Sequence, residues 1–260
     1  MAQLRDFRTV DGERILAEVA ETNNLTSTTL AHVKAFLSGV FRFAKRRGVL
    51  NSENPMREVV LPKGNAAGDT YAYSLEEITQ MLNVLPEPAA TVVAAAAFTG
   101  VRRGELRGFL WQNYDGEQIF VSQSYWRSHV DEPKTKKSRA PVPVIAHLAE
   151  RINLHRKLSG NPVAGLMFVS PFGKPMNLDA LVRASIRPVL VKASLTWHGW
   201  HAFRRGLASN LNRLGIDDSI IQAILRHSDV ALTQRCYIKT VRSDAMAGDG
   251  RFGAFLEICT

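Results

Sequence analysis

The feature that most constrains this chain is a break in its helical pattern. From Thr29 to Arg47 apolar residues recur at helical spacing, through Leu30, Val33, Phe36, Leu37, Val40 and Ala44. Asn54-Pro55 then ends the pattern, and Leu61-Pro-Lys-Gly-Asn-Ala-Ala-Gly-Asp-Thr70 is small, polar and glycine-containing. At Ser74-Leu-Glu-Glu77 a capping box opens a new helix. Proline removes an amide donor and glycine loosens the backbone, so no regular element runs through this stretch. The chain is therefore expected to fold as a helical segment over 1–62, a linker over 63–73 and a larger domain over 74–260.

The first segment has one shorter amphipathic stretch, at 11–21, to pair with the helix of 29–47. Two helices make a thin core, so more chain or a partner is expected against them, and the front of the segment is expected to be missing. Its second helix ends in Lys45, Arg46 and Arg47, cations that either complement the helix dipole or contact phosphates. Beyond the linker, helical patterns run to Leu85, from Ala89 to Phe98, and over 146–158, 178–194, 199–213 and 217–226. Residues rich in β-branched and aromatic side chains at 118–130 and 140–145 flank a lysine-rich turn, and Leu166 to Ser170 reads as a short strand. The expected fold class is mostly α with a small antiparallel sheet, an α+β arrangement.

Charge narrows the partners. The 260 residues hold 33 Lys and Arg against 24 Asp and Glu, a net charge of +9, which favours a polyanion such as nucleic acid. No apolar run approaches the roughly 20 residues of a membrane span, and the opening Met1-Ala-Gln-Leu-Arg lacks the apolar core of a signal peptide. Cys236 and Cys259 form no metal-ligand spacing, which points to a reducing, cytoplasmic setting without a disulfide framework.

Four separated stretches carry chemistry. In Thr99-Gly-Val-Arg102-Arg-Gly-Glu105, a helix end is followed by an arginine and, three residues on, a carboxylate that supports the local turn or orients an arginine. Pro133-Lys134-Thr-Lys136-Lys137-Ser-Arg139 gathers cations at a hairpin tip. A mobile lysine there can reach a phosphate or protonate a leaving oxygen, and chemistry alone does not rank Lys134, Lys136 and Lys137. In Trp197-His-Gly-Trp-His201-Ala-Phe-Arg204, an imidazole and a guanidinium share one helix face and can converge on an oxyanion. The fourth, Leu225-Arg-His227-Ser, leads to Tyr237. A phenol has an ordinary pKa of about 10, so its use as a nucleophile requires nearby cations and a proton acceptor. Two arginines, a lysine, two histidines and a tyrosine together suit a phosphodiester, and the set calls for neither metal nor organic cofactor.

In this order the four stretches resemble the signature of the tyrosine recombinases of the phage integrase family: a Thr-Gly-x-Arg box, a lysine hairpin, His-x-x-Arg, and a Leu-x-His-Ser box ahead of a tyrosine. The resemblance runs from about residue 22 to about 240, Leu25 to Pro62 being similar to the latter half of that family's core-binding domain. It implies that Arg102 and Arg204 clamp the phosphate and that Lys134 protonates the leaving 5′ oxygen. It further implies that Glu105 supports the first box, that His201 and His227 are the two histidines, and that Tyr237 becomes a 3′-phosphotyrosine. Lys45, Arg46, Arg47, Lys136, Lys137 and Arg139 are the expected DNA contacts. Tyr237 stands ten residues after His227 where the family more usually has nine, and Arg205 stands where many members have histidine.

The activity so implied is site-specific DNA recombination on double-stranded attachment sites, with four copies of the chain assembled on two duplexes. Phe252, Phe255, Leu256 and Ile258 then either dock on a neighbouring copy or pack on their own domain. Two other readings share part of the pattern. A helix-turn-helix regulator would account for Arg204 to Ser228, with Gly215 in the turn and Asp217 or Asp218 as N-cap, and would have no use for Lys134 or Tyr237. A type IB topoisomerase-like enzyme would use a similar residue set to nick and reseal one duplex.

Overall fold

A computed structural model describes residues 4–66, 68–127, 129–131 and 141–226, in two compact units, Met1–Asp69 and Thr70–Thr260. Lys134, Lys136, Lys137, Arg139, His227 and Tyr237 lie outside the described residues. So do the four apolar tail residues from Phe252 to Ile258.

The first unit is built on α1, Thr9–Asn23, and α2, Ser27–Arg46. Asn24 turns left-handed and ends α1; Thr26 starts α2, its hydroxyl accepting the Thr29 N–H at 3.3 Å. Leu16, Phe41, Ala44, Leu50, Met56 and Val59 form the core. Here one expectation needs correcting. Phe36 is 71 % exposed and Val40 also lies open, whereas Phe41 is buried. The inward face of α2 follows Leu30, Val33, Leu37, Phe41 and Ala44; Phe36, Val40 and Phe43 make a second stripe beside it. The apolar band of the sequence is wider than the buried face, and periodicity alone does not divide it.

The second unit is organised around α4, Ala89–Thr99, in which every residue except Phe98 is buried. Its alanines leave room for close neighbours, and α3 (Leu75–Val84), α6 (Ala146–Leu158) and α9 (Trp200–Arg213) all pack against it. Close packing also fixes Gly206 on α9, where an added Cβ would stand 2.4 Å from the Tyr73 carbonyl oxygen. Beyond α4 come the one-and-a-half-turn helix α5, Arg103–Arg107, and two separate antiparallel pairs. Strand β1, Gln118–Phe120, pairs with β4, Pro141–Pro143, with Ile119 opposite Val142; β2, Ser124–Trp126, pairs with β3, His129–Asp131, with Tyr125 opposite Val130. The fold is mostly helical with small antiparallel sheets.

One further expectation changes and one is refined. Leu166 to Ser170 is no strand: Leu166 and Val169 make single bridges, to Leu110 and Pro175, and neither extends. The helix expected over 178–194 is found as one continuous run to Lys192, with a π-helical turn (Val182–Ile186) between α7 (Leu178–Leu181) and α8 (Arg187–Lys192). Pro188 supplies the reason, since it has no N–H for the Ala184 carbonyl and its ring crowds that position. The last described helix, α10, Asp218–Leu225, starts at Asp217, whose carboxylate accepts the Ser219 N–H at 2.8 Å. Among the described residues no helix is long and apolar enough to cross a membrane.

Candidate active site

The first box sits where α4 stops. Gly100 ends the helix at φ 59°, in the left-handed region that glycine enters without strain. It also lies against both α9 and α10, since an added Cβ would stand 2.7 Å from a Leu225 methyl and 2.9 Å from a Leu207 methyl. Two residues later Arg102 is extended, with φ −69° and ψ 150°, and becomes the N-cap of α5. Glu105, three residues on, turns back: one carboxylate oxygen accepts the Arg102 N–H at 2.8 Å and the other accepts Arg102 Nη1 at 3.1 Å. Both sequence readings of Glu105 therefore hold at once, as it closes the turn and orients the arginine. The Arg102 side chain remains 45 % exposed while that of Glu105 is buried.

The second box crosses the same place from α9. Arg204 is buried, its Nη1 donating to the Gly100 carbonyl at 2.6 Å and its Nη2 to the Leu225 carbonyl. One guanidinium thus ties the end of α4 to the end of α10. His201 lies one turn earlier on α9 and faces outward, with its surface accessible. Partial burial and the charges of Arg204, Arg205 and Arg102, in that order, hold its imidazole below the usual histidine range. Residues about 100 positions apart in sequence thereby share one electropositive place.

A stability effect with a definite sign follows from His201. Its folded-state pKa lies below its unfolded value, so as pH falls the unfolded chain takes up the proton first, near the ordinary value of about 6.5. The folded form is penalised from there down to the lowered folded pKa, and the contribution is fully favourable only above the ordinary value. A titration of the histidine ring by NMR is expected to place the His201 midpoint below that of a free histidine, and stability should decline less steeply with acid in His201→Gln. An unshifted midpoint would mean that the guanidiniums do not face the ring.

Three phenols of the second unit, Tyr71, Tyr73 and Tyr114, are poor candidates for attack. Burial, then Glu77, pushes Tyr71 up to about 12, and burial raises Tyr73 and Tyr114 as well. Tyr71 is stacked on His198 at 3.5 Å and donates to Glu77 at 2.5 Å, while Tyr73 accepts the His198 N–H at 2.5 Å, a geometry that anchors the start of the unit. An apolar cavity of about 660 Å³ between α6 and α7 takes in Glu87, His155, Met176 and Leu181 and none of the residues named from sequence. Among the described residues no group of three or more His, Cys, Asp or Glu is placed to hold a metal ion.

Sequence reasoning missed one member of the site. Arg226, the middle residue of Leu-x-His, is buried and donates through Nη2 to Glu105 at 2.6 Å, so the carboxylate lies between two arginines. The expected DNA contacts Lys45, Arg46 and Arg47 belong to the first unit, exposed at the end of α2, with the Arg47 guanidinium 5.3 Å from the Phe43 ring centre.

A model of the Phage integrase family matches residues 71–242, about two thirds of the chain and the whole of the arrangement just described. The chain belongs to the phage integrase family. Relatives in that family include a tyrosine recombinase XerC-like protein of Caldanaerobacter subterraneus subsp. tengcongensis, 24 % identical over 83 % of this chain and 63 % of its own length. An integrase of Streptomyces ambofaciens is 27 % identical over 96 % of this chain and 70 % of its own. The chain thus spans less than two thirds of the first relative. Among solved structures, the Tn1549 transposon integrase in complex with transposon right end DNA shares the fold at a TM-score of 0.74, with 18 % identity, over 94 % of this chain and 86 % of that one. A lambda integrase tetramer bound to a Holliday junction shares it at 0.66, with 15 % identity, over 91 % and 66 %.

Proposed function

We propose that this phage integrase family member is a site-specific DNA recombinase that cuts and rejoins strands through a 3′-phosphotyrosine. The observation that carries the reading is the convergence of Arg102, His201 and Arg204 at the junction of α4 and α9. A phosphodiester in attack carries growing charge on its non-bridging oxygens, and preorganised guanidinium donors stabilise that charge more than they stabilise the ground state. In this reading Arg102 and Arg204 hold the scissile phosphate and His201 donates to it or moves a proton beside it. The Tyr237 oxygen attacks phosphorus as its proton passes to His227. The P–O5′ bond breaks, and Lys134 gives the departing 5′ oxygen its proton. A second 5′ hydroxyl reverses the step, so the bond energy is kept in the ester and no nucleotide is consumed.

DNA with paired sites is the partner in this reading, held by the cations of α2 and of the 134–139 stretch. In this reading four copies assemble on two duplexes; the lambda integrase is itself a tetramer when bound to a Holliday junction. The test is incubation with nicked suicide duplexes carrying the repeats that flank the parent element, resolved on a denaturing gel. A recombinase leaves a protein–DNA adduct and joins defined paired sites. A topoisomerase-like enzyme leaves the adduct and relaxes supercoils alone. A helix-turn-helix regulator leaves no adduct, and that result would end the catalytic reading.

A further inference from the structure

Arg226 occupies a position that an arginine has little intrinsic reason to hold. It caps α10 at φ 54° and ψ 42°, in the left-handed region that strains a residue with a Cβ and that glycine enters freely. Its side chain is also 1 % exposed, so the cation has given up most of its water. What it gains is Glu105. Its Nη2 lies 2.6 Å from the same carboxylate oxygen that accepts the Arg102 N–H, and the other oxygen takes Arg102 Nη1. The residue before it, Leu225, gives its carbonyl to Arg204. Two consecutive residues at the exit of α10 are thus tied to the two arginine boxes, one through Glu105 and one directly. The next residue in the chain is His227, and the segment that follows carries Tyr237.

We propose that Arg226 is a positioning residue, which through Glu105 fixes the exit of α10 against the Arg102 turn. The proposal rests on the recombinase reading and deepens it. Arg226 Nη2 donates to Glu105, and the side chain acts through that carboxylate. A buried ion pair adds little net stability, because desolvation consumes most of the attraction; fixing a register is a use for which such pairs are attested. Glycine at this position would relax the backbone and leave the exit of α10 without its tie to the Arg102 turn.

The test uses the full chain, a nicked suicide duplex and single-turnover kinetics at saturating protein, reading the rate constant and the reacted fraction separately. Arg226→Met is expected to slow cleavage by about a hundredfold, the scale of a misplacement near 1 Å, with DNA affinity and reacted fraction close to wild type. Arg226→Gly relaxes the left-handed backbone but leaves the buried Glu105 carboxylate with Arg102 alone, so it should cleave as slowly as Arg226→Met; the reacted fraction, which follows the share of folded protein, separates positioning from lost stability. Arg226→Lys, which keeps a cation facing Glu105 without the planar fork, should return to within about tenfold of wild type. A wild-type rate in Arg226→Gly, or a reduced reacted fraction at an unchanged rate, would overturn the proposal. Failure of the recombinase reading looks different, since the unaltered chain would then form no adduct at all.

Discussion

Tyr237→Phe is expected to abolish the covalent protein–DNA adduct on a suicide duplex while leaving DNA affinity within about 1 kcal/mol of wild type, the scale of a single hydrogen bond. The substitution removes one oxygen and keeps the ring, so what is lost is the nucleophile and little else. Burial raises the pKa of Tyr71, Tyr73 and Tyr114 and so lowers their tendency to lose a proton and take over. The gel reads the result directly, as a shifted band that survives denaturation. An adduct of undiminished yield in Tyr237→Phe would move the nucleophile to another residue.

The second large effect is expected at Arg204. Lysine keeps the charge and loses the fork, so Arg204→Lys should slow cleavage by about a hundred- to a thousandfold, as when one preorganised donor is taken from a site of developing charge. It should also destabilise the fold. The Gly100 and Leu225 carbonyls both accept from this guanidinium, and leaving a buried acceptor unsatisfied costs about 1–3 kcal/mol. Arg102→Lys should be similarly slow without that second loss, because the Arg102 side chain is 45 % exposed and ties no second helix. Chemical denaturation beside single-turnover cleavage separates the two. Equal stability in both variants would remove the cross-tie from the account, and wild-type rates in both would make these arginines structural.

Much of the fold was legible because helices announce themselves. The capping box at Ser74, the apolar period of α2 and the glycine after α4 each have a local cause, and each element is found where that cause places it. The failures share a different origin. Phe36 and Val40 belong to the right helix and the wrong face, because the sequence does not say which of two adjacent stripes meets α1. The 178–194 helix runs unbroken from Leu178 to Lys192, but its period does not announce the π-helical turn that precedes Pro188. For the site, the motifs named Arg102, Glu105, His201 and Arg204 and their order, while their mutual distances depend on how α4, α9 and α10 cross. Arg226 was passed over because its motif position reads as filler. The available signal was a bulky cation where a helix ends in a conformation that favours glycine, and that signal appears only once the end of α10 is known.

The cross-ties of this site also set a schedule for its appearance. The Arg204–Gly100 bond closes a separation of 104 residues, the Arg226–Glu105 pair one of 121, and the His198–Tyr73 bond one of 125. Contacts so remote form late, after the loops between them have closed, and during synthesis they wait until almost all of the second unit has left the ribosome. A nascent chain that has completed α4 and α5 already displays Arg102 but has neither Arg204 to join it nor the end of α10 to receive it. Premature termination anywhere before α9 therefore yields a fragment that cannot assemble the arginine pair.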